Sequence, residues 1–314
     1  MRRRSLGIPK GIGIACLLLA TMAASEGAKH SYSNEAAMMY NKAIESSRAG
    51  DVHIAEAHFR QAVGASPKFY EAWMGLAQLL QDTGRLKEAE DCYRRAVKLA
   101  PASVSAVNAL GFVYVEQGRL EEGEALLKRV SKLLPSSASA LLNLGAIQRQ
   151  MGKLDQAIRS YQRARELEPG EAKASYNLGN ALYSKKQYQE SIENYLQAAR
   201  LSPQHVDTYN NMANAMRDSG DKQGARGVLE SARTIDPGSV AVLCNLGVLY
   251  ADLQLLEESL EVLDEAFRLG PNVPEVICSR ANTLHSLRRS KDGISEYRRV
   301  VSAYPLVATY RKGL

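Results

Sequence analysis

Residues 70 to 103 read YEAWMGLAQLLQDTGRLKEAEDCYRRAVKLAPAS, and the fold turns on this stretch. Trp73, Leu76, Ala77 and Leu80 fall at i, i+3, i+4 and i+7, the spacing of a helix with one apolar stripe. Gly84 follows, a residue able to take the positive φ at which such a helix ends. Ala89, Tyr93 and Ala96 form the stripe of a second helix. Pro101 closes it, because proline lacks the amide hydrogen and disfavours helical geometry before it.

Pro101 belongs to a series. Pro67, Pro101, Pro135, Pro169, Pro203, Pro237, Pro271 and Pro305 recur every 34 residues without a slip, and only Pro9 and Pro274 stand outside. With each proline at position 32 of a unit, eight tandem repeats cover 36–69, 70–103, 104–137, 138–171, 172–205, 206–239, 240–273 and 274–307. The place of Ala77 stays small in the later units, as Gly111, Gly145, Gly179, Ala213, Gly247 and Ala281, which predicts closely approaching helices. Lys42, Arg280 and Gly293 depart from the apolar pattern, and Lys186, Gln254 and Arg288 replace the turn glycine.

The signature carried by Trp73, Leu76, Ala77, Leu80, Ala89, Tyr93, Ala96 and Pro101 resembles the tetratricopeptide repeat (TPR) family over residues 36–307. The resemblance implies an all-α fold, a right-handed superhelical solenoid of eight stacked helix-turn-helix units. First helices would line a concave groove and second helices the convex side. End units of such arrays are expected to be atypical.

The 314 residues are 45% hydrophobic and 24% charged, values that exclude wholesale disorder and a collagen-like fibre. Of the 40 basic residues, Arg2, Arg3, Arg4 and Lys10 lie in the first 24, which hold no acid, so most of the net charge of +6 belongs to a leader. Residues 1–25 read as an export signal: an Arg-rich start, an uncharged run from Gly11 to Ala24, then the small residues Ala23, Ala24 and Ser25. The run is short of the roughly 20 residues a spanning helix needs, so no stable membrane span is expected. A transit peptide or an uncleaved anchor are the alternatives. Residues 26–35 form a short linker, and 308–314 begin a capping helix or a truncated end.

Enzyme chemistry finds no footing. The histidines His30, His53, His58, His205 and His285 converge on nothing, and no zinc, nucleophile-elbow or phosphate-loop motif occurs. Cys278 and His285 stand two helical turns apart, about 10 Å, too far for a base to reach a nucleophile. Cys244 and Cys278 occupy equivalent places in adjacent repeats and read as free thiols. Acidic groups at Glu121, Glu122 and Glu124, and at Glu257 and Glu258, read as a solvated face. No catalytic residue, cofactor or metal is assigned, and no nucleic acid is expected as partner.

Position 6 of the unit, on the first helix, reads Asn41, Gly75, Ala109, Asn143, Asn177, Asn211, Asn245 and Ser279. Four consecutive repeats thus repeat an asparagine, and its neighbours include Tyr176, Asn180, Asn210, Asn214, Cys244 and Asn282. Asparagine offers both an acceptor and a donor, which suits a peptide backbone. It is a mediocre helix former, so propensity does not explain four in register; solvation, or bonding within the stack, is the structural alternative.

This strip is similar to the TPR arm of protein O-linked N-acetylglucosamine transferases, most closely in units 4 to 7 and in the Tyr-Asn-Leu-Gly-Asn run from Tyr176 to Asn180. By that resemblance Asn143, Asn177, Asn211 and Asn245, with Tyr176, Asn180, Asn210 and Asn214, would hold an extended polypeptide. The catalytic domain of those enzymes is absent. Chaperone adaptors instead grip a terminal carboxylate with cationic residues around two asparagines. Here Asn180 and Asn211 match the asparagines, but Tyr176, Ala241 and Asn245 stand where the cations should be. The expectation is an exported, non-enzymatic adaptor or scaffold for an extended segment of a partner protein. A detached arm of a glycosyltransferase and a homo-oligomeric structural subunit are the alternatives.

Overall fold

A computed structural model describes residues 32–303. The expected leader, Cys16, most of the linker, Pro305 and the expected capping segment lie outside the described residues. Among the described residues there are sixteen helices and no strand. They are α1 (Asn34–Ala49), α2 (Val52–Ala65), α3 (Tyr70–Asp82), α4 (Leu86–Leu99), α5 (Val104–Glu116), α6 (Leu120–Leu133), α7 (Ala138–Gln150) and α8 (Leu154–Leu167). There follow α9 (Ala172–Ser184), α10 (Tyr188–Leu201), α11 (Val206–Ser219), α12 (Lys222–Ile235), α13 (Val240–Asp252), α14 (Leu256–Leu269), α15 (Pro274–Ser286) and α16 (Ser290–Ala303). No described helix is long and apolar enough to cross a membrane.

The protein divides into two compact units, residues 1–151 and 152–314, so that the first contains α1–α7 and the second α8–α16. Within each, hairpins such as α3/α4 and α13/α14 pack tightly and stack on the next. The first core gathers Tyr40, Phe59, Leu76, Leu80, Tyr93 and Leu110; the second centres on Leu229, Leu243, Leu246, Leu249 and Leu263. At roughly 25 cal/mol per Å² of apolar area buried, these repeated contacts are the main stabilising contribution.

The turn between the helices of a hairpin takes positive φ at Gly50, Gly84, Gly118, Gly152 and Gly220, and also at Lys186, Gln254 and Arg288. The non-glycine turns therefore keep the conformation that the glycine signal predicts. A serine closing one repeat caps the next helix, as Ser103 accepts from the Ala106 amide and Ser137 from the Ala140 amide.

Two expectations are refined by the packing. Glu124 is buried, not solvated, and pairs with Lys128 at 2.7 Å. It shares position 21 of its repeat with Glu56 and Glu90. Arg85 of the following repeat reaches Glu56 at 2.7 Å, and Arg119 reaches Glu90 at 2.8 Å, so these acids lie between neighbouring repeats. Arg280, an irregular residue for a packing position, is accommodated by charge: its Nε bonds Asp264 at 2.5 Å, its Nη1 bonds Glu296 at 2.9 Å, and its guanidinium lies 5.2 Å from the Phe267 ring centroid.

Candidate functional site

In the second unit Tyr176, Asn177 and Asn180 sit on α9, Asn210, Asn211 and Asn214 on α11, and Asn245 on α13. All seven are half-buried. Asn211 donates from its amide nitrogen to the Tyr176 hydroxyl at 3.0 Å and to Asn180 Oδ1 at 3.1 Å. Asn245 donates in the same way to Asn210 Oδ1 at 2.8 Å. Cys244 and Ser279 meet at 3.8 Å. Three of these contacts, Tyr176–Asn211, Asn210–Asn245 and Cys244–Ser279, join position 5 of one first helix to position 6 of the next, 35 residues on, whereas Asn180–Asn211 joins position 9 to position 6. Five of the expected residues are thereby braced, Tyr176, Asn180 and Asn211 in one group and Asn210 with Asn245 in another. Asn177 and Asn214 enter no hydrogen bond with another described side chain, and neither does Asn143, which lies on α7 in the first unit.

Tyr195 is a member that the sequence did not single out. It lies on α10, is 1% exposed, and its hydroxyl donates to Asn180 Oδ1 at 2.7 Å, with its ring 6.1 Å from that of Tyr176. Tyr93 does the same in the second repeat, donating to Gln78 at 3.2 Å and Gln81 at 3.1 Å. The available signal was a tyrosine at position 24 coupled to an amide at position 9 of the same repeat. His205 adds an edge contact, its ring 5.1 Å from that of Tyr176, and shares a 2.7 Å hydrogen bond with Thr208.

The pattern has a definite polarity. Asn180 Oδ1 accepts two bonds, so its amide N–H groups are the part left to donate outward; Asn211 uses its amide N–H groups inward, so its carbonyl oxygen is left to accept. The strip can recognise amides and hydroxyls. Burial pushes the Cys244 and Cys278 thiols up from their ordinary value, away from thiolate character. Among the described residues no group of three or more His, Cys, Asp or Glu side chains is arranged to hold a metal ion.

Helical hairpins stacked in series, with a polar uncharged strip on their first helices, define a repeat protein built for surface recognition. A family model described as tetratricopeptide repeat matches residues 40–104, 147–206 and 210–274, and a second of the same description matches 101–168. The chain belongs to the tetratricopeptide repeat family. Solved structures agree on the fold. Yeast Tom70 is similar at 17% identity and a TM-score of 0.64, over 91% of this chain and 64% of that one. A tetratricopeptide repeat protein from Parabacteroides merdae is similar at 17% identity and a TM-score of 0.63, over 80% of this chain and 99% of that one. Pseudomonas aeruginosa pilF is similar at 21% identity and a TM-score of 0.54, over 66% of this chain and 95% of that one. No curated protein matches the sequence. Proteins of the family bind proteins or peptides, and a protein-interaction scaffold is the activity this fold fits.

Proposed function

We infer that the protein is an exported adaptor whose second unit binds an extended segment of a partner protein along α9, α11 and α13, mainly through the partner's backbone. The observation that carries this reading is the fixed polarity of the Asn180–Asn211 rung, a donor and an acceptor side by side, which is what successive backbone carbonyl and N–H groups require. Adjacent first helices about 8 to 10 Å apart also fit nearly three residues of extended polypeptide at roughly 3.3 Å each. Asn143, on the first unit, would offer a separate contact of the same kind. The export leader supports a location outside the cytoplasm. Its small uncharged end is the feature to test, by intact-mass measurement of the natural protein.

Asn177 and Asn214 make the sharper test, because they belong to the strip without bracing it. Partners are first captured with the full-length protein and identified by mass spectrometry, and the bound segment is then titrated by calorimetry. Asn177→Ala with Asn214→Ala is expected to weaken binding about tenfold, at about 0.5 to 1.5 kcal/mol per hydrogen bond, with an unchanged denaturation midpoint. Unchanged affinity would exclude the strip from binding. The reading as a substrate-recognising arm of a glycosyltransferase rests on the Tyr176 to Asn180 run and requires a nucleotide-sugar domain encoded in the same reading frame.

A further inference from the structure

The second helices α4 and α6 of the first unit end alike. Arg95, Lys98 and Leu99 close α4, and Arg129, Lys132 and Leu133 close α6, each trio at i, i+3 and i+4 and therefore on one helix face. The four cations are exposed, and none enters an ion pair with a described side chain, whereas their neighbours Arg94 and Lys128 are held by Glu90 at 2.8 Å and Glu124 at 2.7 Å. Leu133 is 57% exposed. Helix α5 packs against both α4 and α6, so the two trios stand one repeat step apart along a single edge.

No acid offsets them at this edge. The chain has neither Asp nor Glu from 92 to 115 or from 125 to 154, stretches that include the ends of both helices, the turns that follow and the starts of α5 and α7. The nearest acid on the same helix is Asp91, one turn before Arg95. A helix C-terminus attracts cations through its dipole, but that cause acts on every second helix and the result here is local. At the same two positions in the second unit, α8 has Arg163 and Glu166, which ion-pair at 2.8 Å, and α10 has Gln197 and Arg200. Helix α12 has Ser231 and Thr234, and α14 has Glu265 and Arg268, with Glu265 taken by Arg233 at 2.5 Å. A leucine or isoleucine ends each of these helices too, so the doubled cations, not the leucine, set α4 and α6 apart.

We propose that the α4 and α6 ends of the first unit form a peripheral docking surface for an anionic lipid bilayer, with Arg95, Lys98, Arg129 and Lys132 meeting headgroup phosphates and Leu133 entering the boundary between headgroups and acyl chains. Each basic side chain near an anionic bilayer raises partitioning roughly fivefold, so four acting together supply a several-hundredfold preference over a neutral surface. The exposed leucine among the cations is what favours lipid over other polyanions. A nucleic acid would engage the cations through its phosphates and leave Leu133 in water, whereas a bilayer interface takes up both.

The test uses the full-length protein with vesicles of phosphatidylcholine, alone or with about 30% phosphatidylglycerol. Flotation is expected to show at least about tenfold tighter binding to the anionic vesicles, lost as NaCl rises from about 50 to about 500 mM. Amide exchange should slow at residues 99–105 and 133–139 when the anionic vesicles are present, which places the contact at this edge and not elsewhere in the chain. Arg129→Glu with Lys132→Glu should weaken binding at least about tenfold. Arg200→Glu with Arg268→Glu, the same change in net charge at exposed sites of the second unit, should leave it within about threefold. Leu133→Ser should weaken vesicle binding about threefold with an unchanged circular dichroism spectrum. Equal binding to neutral vesicles, equal loss in the two double variants, or no slowing of exchange at those residues would overturn the proposal. Vesicle binding indifferent to Leu133→Ser, with equal or tighter binding of a double-stranded DNA probe, would reassign the edge to a polyanion and overturn it as well.

Discussion

Lys186, Gln254 and Arg288 hold φ values of 62°, 64° and 61° where five other turns use glycine. A left-handed conformation costs an L-residue about 1 to 2 kcal/mol, whereas glycine there loses only some additional conformational entropy. Lys186→Gly is therefore expected to raise stability by about 0.5 to 1 kcal/mol, read as a higher urea midpoint. The same turns mark what was legible one residue at a time. The place of the turn follows from the 34-residue period, and its backbone conformation follows from Gly84 and its equivalents, even at positions that have lost the glycine. The asparagines were legible as a repeated polar strip, but not as a network. Which neighbour Asn211 meets depends on an offset of 35, one more than the repeat, and that offset is set by how successive first helices slide past each other. Asn211→Ala consequently removes two inter-repeat bonds, to Tyr176 and Asn180, and should lower stability by about 1 kcal/mol as well as weaken binding, in contrast to the Asn177 and Asn214 variants.

At the scale of elements, two glycines at the same place in the repeat behave differently. A Cβ on Gly247 of α13 would stand 2.5 Å from Leu263 Cγ, a fully buried side chain, whereas on Gly111 of α5 it would meet Leu127 at an ordinary 3.5 Å. Gly247→Ala should destabilise by about 1 to 3 kcal/mol through overpacking, and Gly111→Ala should be neutral or gain up to about 1 kcal/mol of helix propensity. Denaturation curves of the two variants separate these outcomes. The charged clamps are a second element-scale device. Burial alone would raise the Glu56 carboxyl, but hydrogen bonds and charge from Arg60 and Arg85 prevail and hold it below its ordinary value. A depressed acid stabilises the fold above its unfolded pKa and loses that contribution as pH falls through the folded one. Glu56→Gln should therefore lower the urea midpoint at pH 7, and the deficit should vanish on acidification below the carboxylate range. Sequence alone did not reveal such clamps, because the two partners, Glu56 and Arg85, sit 29 residues apart and the helix that carries each looks solvated by itself.

For the whole molecule, the relevant physics is that each hairpin contacts only its neighbours, so stability is close to a sum over hairpins and their interfaces. The clusters respect this: buried Leu246, Leu249 and Leu263 of one hairpin pack with Leu229 of the hairpin before and Val276 of the one after. Deleting residues 172–205 removes α9 and α10 together and leaves every remaining helix with a partner of the kind it already has, an apolar stripe facing an apolar stripe. Deleting 172–188 removes α9, whose buried Ala174, Leu178, Ala181 and Leu182 form one side of two interfaces, and leaves α10 with no first helix of its own. The first deletion is expected to retain helicity per residue and a cooperative, somewhat earlier urea transition with a smaller slope, because less surface is exposed on unfolding. The second should lose helix beyond the residues removed and unfold broadly. Circular dichroism with urea titration on both proteins provides the comparison, and equal damage in the two would mean that hairpins are not the unit of stability. The 172–205 deletion has a second readout. It removes Tyr176, Asn177 and Asn180 while sparing Asn210, Asn211, Asn214 and Asn245, so a folded protein that has lost its partner would place the binding energy on the Asn180–Asn211 rung.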